Sequence, residues 1–279
     1  MIKLNKWDVA VKQNKVSDNT SEEFAWISSI ETLGAVDGPG LRLVIFLQGC
    51  PLNCLFCHNP ETIPFSTKEK KITIDEILKL YEKNKTLYQN GGGITFSGGE
   101  AMAQIDFVTA AFKKFREKGI HTCLDTAAAP MGVYPMEKIE KLLDVTDYFL
   151  VDIKHPDQEV SIELSGEGVE HQIGLLKLLE SRGQSYLIRH VYLPTFSDRS
   201  PEYMQTLGKM IGNLKYMDKF EFLPYHDMAK FKYENMGWNF PLAGIEPPTT
   251  EQLAWGRARL QEGIDVVRQD PSQGLVIQD

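Results

Sequence analysis

The sequence predicts an α/β fold built on parallel strands. Six apolar, strand-like runs are spread along the chain, helix-like segments separate them, and two of those helices open on capping boxes. Parallel strands need crossover connections, so alternation of strand and helix implies a parallel sheet. Six such units close into a partial barrel or lie open as a doubly wound sheet, and alternation alone leaves both standing.

Residues 1–23 are polar and without a clear period, and read as a flexible N-terminal extension. Residues 24–279 then form one domain, since α/β barrels commonly run past about 200 residues undivided. The expected strands are Leu41–Leu47 (LRLVIFL), Gly93–Phe96, Ile120–Leu124, Asp147–Asp152 (DYFLVD), Tyr186–Tyr192 and Phe220–Leu223. Thr73-Ile74-Asp75-Glu76 is a capping box, in which a threonine oxygen and a glutamate carboxylate satisfy free N–H groups at a helix start. A following helix carries Phe107, Val108, Ala111, Phe112 and Phe115 on one face and stops at Gly119. Thr249-Thr250-Glu251-Gln252 opens a late helix in the same way.

Composition excludes several classes. A hydrophobic fraction of 42% is too high for a disordered chain, and a net charge of -8 disfavours a nucleic-acid partner, which meets a basic face. No stretch approaches the ~18–20 apolar residues of a membrane helix, and the N-terminus lacks the apolar run of a secretory signal. The expected compartment is therefore the cytoplasm, where thiols stay reduced and four cysteines, three of them in one short loop, read as metal ligands rather than disulfides.

In α/β folds the chemistry gathers at the C-terminal ends of the strands. The polar residues follow that rule. The cysteine loop follows the first expected strand, and Ser97-Gly98-Gly99-Glu100 the second. Asp125-Thr126 follows the third, Asp152 and Lys154 end the fourth, Arg189 and His190 lie in the fifth, and Pro224-Tyr225-His226 follows the sixth. Arg189 is a charge in an apolar run. Its burial without a partner would cost several kcal/mol, so it must face carboxylates or the open rim.

The cysteine loop reads Cys50-Pro51-Leu52-Asn53-Cys54-Leu55-Phe56-Cys57-His58-Asn59. Soft thiolates suit iron–sulfur clusters and zinc. A cubane held by three cysteines keeps one iron open to an outside ligand, whereas structural zinc takes four protein ligands. His58 is the available fourth donor for zinc, but it directly follows Cys57, and adjacent side chains rarely reach one metal. Cys123, in HTCLDT, reads as a small buried hydrophobe.

The C-x3-C-x2-C spacing, with an aromatic before the last cysteine, resembles the radical S-adenosylmethionine superfamily. The stretches VDGPG-LR, QGCPLNCLFCHNPET, GGGITFSGGEA, HTCLDT, VTDYFLVDIK and LPYH, from about Ile30 to about Met236, look like its glycyl-radical activase branch, the activating enzymes of pyruvate formate-lyase. The resemblance implies a partial (β/α)6 barrel of parallel strands with outer helices. It also implies a 4Fe–4S cluster on Cys50, Cys54 and Cys57 whose open iron chelates S-adenosylmethionine. In that family one electron cleaves the sulfonium, and the resulting 5′-deoxyadenosyl radical abstracts a hydrogen atom.

The resemblance also carries residue roles. Ser97, Gly99 and Glu100 match the loop that binds the methionine end of the cofactor, and the glycines let backbone approach a ligand closely. Phe56 and His58 flank the last cysteine where similar enzymes pack the adenine, His226 matches a contact to the adenosine, and Asp152, Ile153, Lys154 and Arg189 complete the cofactor set. Asp125 and Asp152 bring carboxylates close to the cofactor's own. Lys154 offsets one charge, and a monovalent cation on Asp125, Thr126 and Asp152 is the other way to offset them, with which similar activases are consistent. Asp37, in VDGPG, matches the contact to the substrate peptide. The usual DTNG is Asp125-Thr126-Ala127-Ala128 here, so asparagine and glycine are lost.

The implied function is activation of pyruvate formate-lyase by a single copy of this chain, through hydrogen abstraction from a backbone glycine. The chain holds one cluster motif, so the electron must come from an external carrier such as flavodoxin or ferredoxin. Two other functions compete. Activases of other glycyl-radical enzymes often carry an insert with further cysteines, but residues 58–97 contain none. A non-catalytic zinc-binding module is the alternative from another class, and iron and sulfide analysis separates it.

Overall fold

The computed structural model describes residues 21–65 and 70–277, so the N-terminal extension lies outside the described residues except for 21–23. The chain divides into two compact units.

The first unit takes residues 21–52 and 59–151 of the described chain. Its strands are β1 (Phe24–Gly34), β2 (Arg42–Leu47), β3 (Lys70–Thr73), β4 (Gly93–Gly98), β5 (His121–Thr126) and β6 (Tyr148–Asp152). They lie in the order β3-β1-β2-β4-β5-β6. From β2 to β6 every pairing is parallel, as the alternation predicts. β1 and β3 are a correction to the sequence reading: both are antiparallel additions at the edge, β1 against β2 and β3 against β1. β1 (FAWISSIETLG) alternates half-buried positions with buried ones in its first half and with exposed ones in its second, instead of forming an apolar run, and β3 (KKIT) is too short for a period to register.

Three helices accompany this sheet: α1 (Ile74–Asn84), α2 (Ile105–Glu117) and α3 (Met136–Asp144). Thr73 and Glu76 form the predicted capping box at the start of α1. α2 buries Phe107, Val108, Ala111, Phe112 and Phe115, and Phe96 of β4 stacks on Phe112 with ring centroids 5.0 Å apart. That aromatic cluster fixes the height of β4 against α2, and so the start of the loop that follows β4.

The second unit takes residues 53–58 and 152–277. β7 (Tyr186–Tyr192) pairs in parallel with β8 (Met217–Pro224). β8 starts three residues before the expected Phe220, because the charged Asp218 and Lys219 separate Met217 from the apolar run. The helices are α4 (Gln158–Ser165), α5 (Glu170–Arg182), α6 (Pro201–Ile211), α7 (Lys230–Asn235) and α8 (Thr250–Gln269). The predicted box of Thr249 and Gln252 caps α8. Among the described residues, no helix is long and apolar enough to cross a membrane.

Candidate cluster and cofactor site

The cysteine loop is pinned by its backbone. In the first unit the amide of Gln48 donates to Trp26 O, that of Gly49 to Thr62 O and that of Cys50 to Ile63 O, at 2.9, 2.8 and 3.1 Å. The Gln48 amide nitrogen Nε2 adds bonds to the carbonyls of Glu61 and Pro64. In the second unit Asn53 and Leu55 donate to Ser165 O and Leu164 O at the end of α4, both at 2.8 Å. Cys57 N donates to Cys54 O at 3.0 Å, and the Tyr233 hydroxyl donates to Cys57 O at 3.0 Å. Cys50 and Cys54 are buried and Cys57 half-buried, all three as free thiols.

The backbone at Cys50 is thus held within the first unit, and that at Cys54 and Cys57 within the second. Among the described residues, no three His, Cys, Asp or Glu side chains are grouped to hold a single metal ion. A cubane makes no such demand, because each thiolate takes a separate iron. Cys123 serves another purpose. It is fully buried in β5, and its Sγ would lie 2.9 Å from a Cβ added to Gly38 in the VDGPG loop.

The loop after β4 folds onto the first half of the cysteine loop. Gly98 has φ +118°, and a Cβ there would stand 2.2 Å from Leu47 N. One on Gly99 would stand 2.3 Å from Gly49 O, to which Glu100 N donates at 2.9 Å. What these two missing side chains make room for is the chain's own backbone, a neighbour that the motif does not advertise.

Glu100 is the centre of this loop. It is 2% exposed, and its carboxylate accepts from Thr126 Oγ1 (2.6 Å), Ala127 N (2.9 Å) and Met102 N (3.0 Å). Burial pushes the carboxyl up to about 7, against the pull of those hydrogen bonds. Beside it, Ser97 Oγ donates to Asp125 Oδ2 at 2.7 Å. Ser97, Gly99, Glu100, Asp125 and Thr126 are thus one cluster. Ala128, standing where the family pattern has glycine, keeps a left-handed backbone at φ 58°, ψ 11°.

In the second unit Lys154 Nζ lies 2.8 Å from Asp152 Oδ2 and 5.9 Å from the centre of the Phe56 ring. The expected ion-pair partner of Asp152 is therefore in place. Ile153 N donates to Arg189 O at 2.9 Å, and His190 Nδ1 is 2.9 Å from Ile153 O. Arg189 meets a carboxylate, as its apolar setting requires: Nε lies 3.4 Å from Glu221 Oε2 on β8.

His58 and His226 stack with ring centroids 4.0 Å apart. Burial, and then the facing His226 ring, hold His58 below the ordinary imidazole range. Buried His58 Nε2 and His226 Nδ1 have no hydrogen-bond partner. Two orphaned polar atoms on stacked rings are a place for a flat, polar ligand group, which is what an adenine presents.

Sequence reasoning passed over Arg42. It is fully buried, with Nε donating to Thr95 Oγ1 (2.6 Å), Nη1 to Pro39 O (2.9 Å), and Nη2 to Ile94 O (2.9 Å) and His121 O (3.2 Å). Thr95 Oγ1 in turn donates to Asp37 O at 2.7 Å. Arg42 therefore rivets the VDGPG loop, and with it Asp37, to β4 and β5. The available signal was a single charge inside the apolar run LRLVIFL.

These features define a class, the radical SAM enzymes: the family profile of the Radical SAM superfamily matches residues 44–207. The fold agrees. SuiB of Streptococcus suis bound to S-adenosylmethionine aligns with a TM-score of 0.59 and 21% identity, covering 82% of this chain and 48% of that one. HemN, the coproporphyrinogen III oxidase of Escherichia coli, aligns at 0.52 and 17%, covering 95% and 61%. The partial barrel expected from sequence is the fold of these neighbours. A pyruvate formate-lyase-activating enzyme of Staphylococcus epidermidis is 38% identical over 230 residues, covering 81% of this chain and 91% of that protein. One from Streptococcus mutans is 40% identical over 232 residues, covering 81% and 87%. The chain belongs to the family of pyruvate formate-lyase-activating enzymes, radical SAM activases that use a 4Fe–4S cluster and S-adenosylmethionine.

Proposed function

We propose that this chain generates the glycyl radical of pyruvate formate-lyase, acting as a cytoplasmic monomer that takes its electron from an external flavodoxin- or ferredoxin-type carrier. The observation that carries the reading is the 38% identity to a pyruvate formate-lyase-activating enzyme over 81% of the chain.

When bound, the cluster and S-adenosylmethionine together supply the one-electron, hydrogen-abstracting chemistry. The protein's part is to bind, orient and exclude water. Cys50, Cys54 and Cys57 hold the cluster. Ser97, Gly99 and Glu100 would hold the methionine end of the cofactor, Phe56, His58 and His226 its adenosine, and Asp152, Ile153, Lys154 and Arg189 would complete the cofactor set. The Lys154 ammonium, already paired with Asp152, is the protein's counter-charge for the cofactor carboxylate. Asp37 receives the substrate peptide from a loop that Arg42 keeps rigid. A monovalent cation on Asp125, Thr126 and Asp152 would have to share oxygens now engaged by Ser97, with Thr126 bonded to Glu100 and Asp152 paired with Lys154.

The test is anaerobic reconstitution with iron and sulfide, followed by incubation with S-adenosylmethionine, a low-potential reductant and pyruvate formate-lyase. A glycyl-radical doublet in electron paramagnetic resonance is expected. Cofactor cleavage without that signal would assign the activity to another glycyl-radical enzyme, and a colourless zinc protein would end the reading. Equal activity in potassium, sodium and a bulky organic cation at constant ionic strength would remove the cation.

A further inference from the structure

We infer that a lysine-rimmed groove on the first unit is the docking surface for an acidic one-electron carrier protein, an assignment that rests on the external-donor reading above. The groove lies between α1 and the antiparallel β1–β3 pair and encloses about 510 Å³. Ile27 and Ile72 form its floor, and Lys70, Lys71, Lys79 and Lys83 stand around it. Glu76 is the acid in the lining; its carboxylate accepts from the Thr73 amide and hydroxyl, both at 2.8 Å, and is attracted more weakly by Lys79.

Charge is the first argument. The chain as a whole carries -8, so four lysines around one apolar floor run against its average. Among the described residues, none of the four is in an ion pair, and Lys71 lies over the rings of Phe24 and Trp26, 4.0 and 4.7 Å from their centres. Lys79 and Lys83 are four residues apart on one helix face, a like-charge pair that costs the helix a few tenths of a kcal/mol and makes sense toward an external acid. Interfaces for electron transfer are small, and complementary charge steers their encounters.

Position is the second argument. Ile27 is in register with Lys70 on one side and with Leu47, the last residue of β2, on the other. Lys71 pairs with Trp26, whose carbonyl accepts the Gln48 amide. Lys71 is thus level with the start of the cysteine loop at a lateral distance of about 10 Å, two strand spacings, and Cys50 is two residues further on. A carrier seated here delivers its electron beside the first cluster ligand.

The test uses the cluster-loaded protein and a Lys79→Glu/Lys83→Glu variant, both substitutions on the exposed face of α1, with Lys79→Arg/Lys83→Arg as the charge-conserving control. Flavodoxin and a plant-type ferredoxin are the probes. The binding of each oxidised carrier is read by calorimetry, and bleaching of the cluster by each reduced carrier or by dithionite is read by stopped flow. At low salt the charge reversal is expected to weaken carrier binding and slow carrier reduction about tenfold, with the difference closing at high salt. The arginine variant and all dithionite rates should stay at wild-type values. Equal carrier binding and equal rates in the charge-reversed variant would overturn the groove while leaving the external donor intact. Wild-type protein that dithionite reduces, but that neither carrier binds or reduces, would overturn both. Binding to anionic lipid vesicles without binding to either carrier would reassign the groove to a membrane.

Discussion

The imidazole rings of His58 and His226 lie 22° from parallel with their centroids 4.0 Å apart, one ring beside the last cysteine and the other just past the end of β8. His226 lies on a separate segment from the three cysteines, so His226→Ala should leave iron and sulfide content unchanged. It should raise the dissociation constant for S-adenosylmethionine about tenfold, or about 1.4 kcal/mol. Equilibrium dialysis on the reconstituted protein measures it, and an unchanged constant would take His226 out of the cofactor site.

The thiols themselves should divide cleanly. Cys50→Ala, Cys54→Ala or Cys57→Ala is expected to abolish stable cluster assembly and cofactor cleavage. Cys123→Ala should retain the cluster at a cost of about 1 kcal/mol or less for the small void under the VDGPG loop. Loss of the cluster in Cys123→Ala with retention in Cys54→Ala would reverse the assignment.

Arg42 calls for two readouts. Arg42→Lys keeps a charge but loses the planar fork that reaches Thr95, Pro39, Ile94 and His121 together, so it should cost about 2–4 kcal/mol in chemical unfolding. Cofactor cleavage uncoupled from the protein substrate should survive in the folded fraction, while KM for pyruvate formate-lyase rises. If KM stays fixed, the rivet is structural only.

The left-handed turn at Ala128 gives a backbone test. Ala128→Val places a β-branched side chain at φ 58° in a fully buried position and should cost more than about 2 kcal/mol. Ala128→Gly should change stability by less than about 1 kcal/mol, because relief of strain offsets the lost methyl and the added chain entropy. Thermal unfolding of both variants decides it, and a tolerated valine would mean that the turn is not held in this conformation.

Acid should unfold the second unit through His155. Burial first, and then the nearby His190, lower His155 from 6.5 to about 3. Its folded value lies below its unfolded one, so the stability it contributes is fully present above about pH 6.5 and is lost as pH falls toward 3. Between about pH 6.5 and pH 4, each pH unit should remove up to about 1.4 kcal/mol on its account. His155→Asn, which preserves an acceptor for the Asp157 amide, should flatten that limb in urea titrations at pH 7.5, 6 and 5. Parallel slopes for wild type and variant would refute the assignment.

What the sequence disclosed depended on whether the signal was local. β2 and β6 were legible because they are almost wholly buried and carry apolar runs, and the more polar β4 and β5 because each follows or precedes a helix-like segment in the alternation. Both capping boxes were legible because donor and acceptor lie within four residues. β1 was hidden by Ser29 and Glu31 on its exposed positions and by Ser28 between them and the apolar start, and β3 by its four-residue length. The site residues stood out because they follow strands. Their partners did not, since Arg42 bonds mostly to backbone carbonyls and Glu100 to one hydroxyl and two amides, acceptors and donors that every residue type offers. The room left by Gly98 and Gly99 was likewise visible, but not what fills it.

Backbone packed on backbone across Gly49, Gly98 and Gly99 has a genetic consequence. No side chain cushions the two loops, so they behave as one mechanical part, and a displacement of either is delivered whole to the other. A methyl added at Gly99 would press on the carbonyl next to Cys50 and should lower the protein's iron and sulfide content, although no iron ligand had changed. Variation in this region should therefore be permitted in pairs, with a change in one loop surviving only alongside an accommodating change in the other.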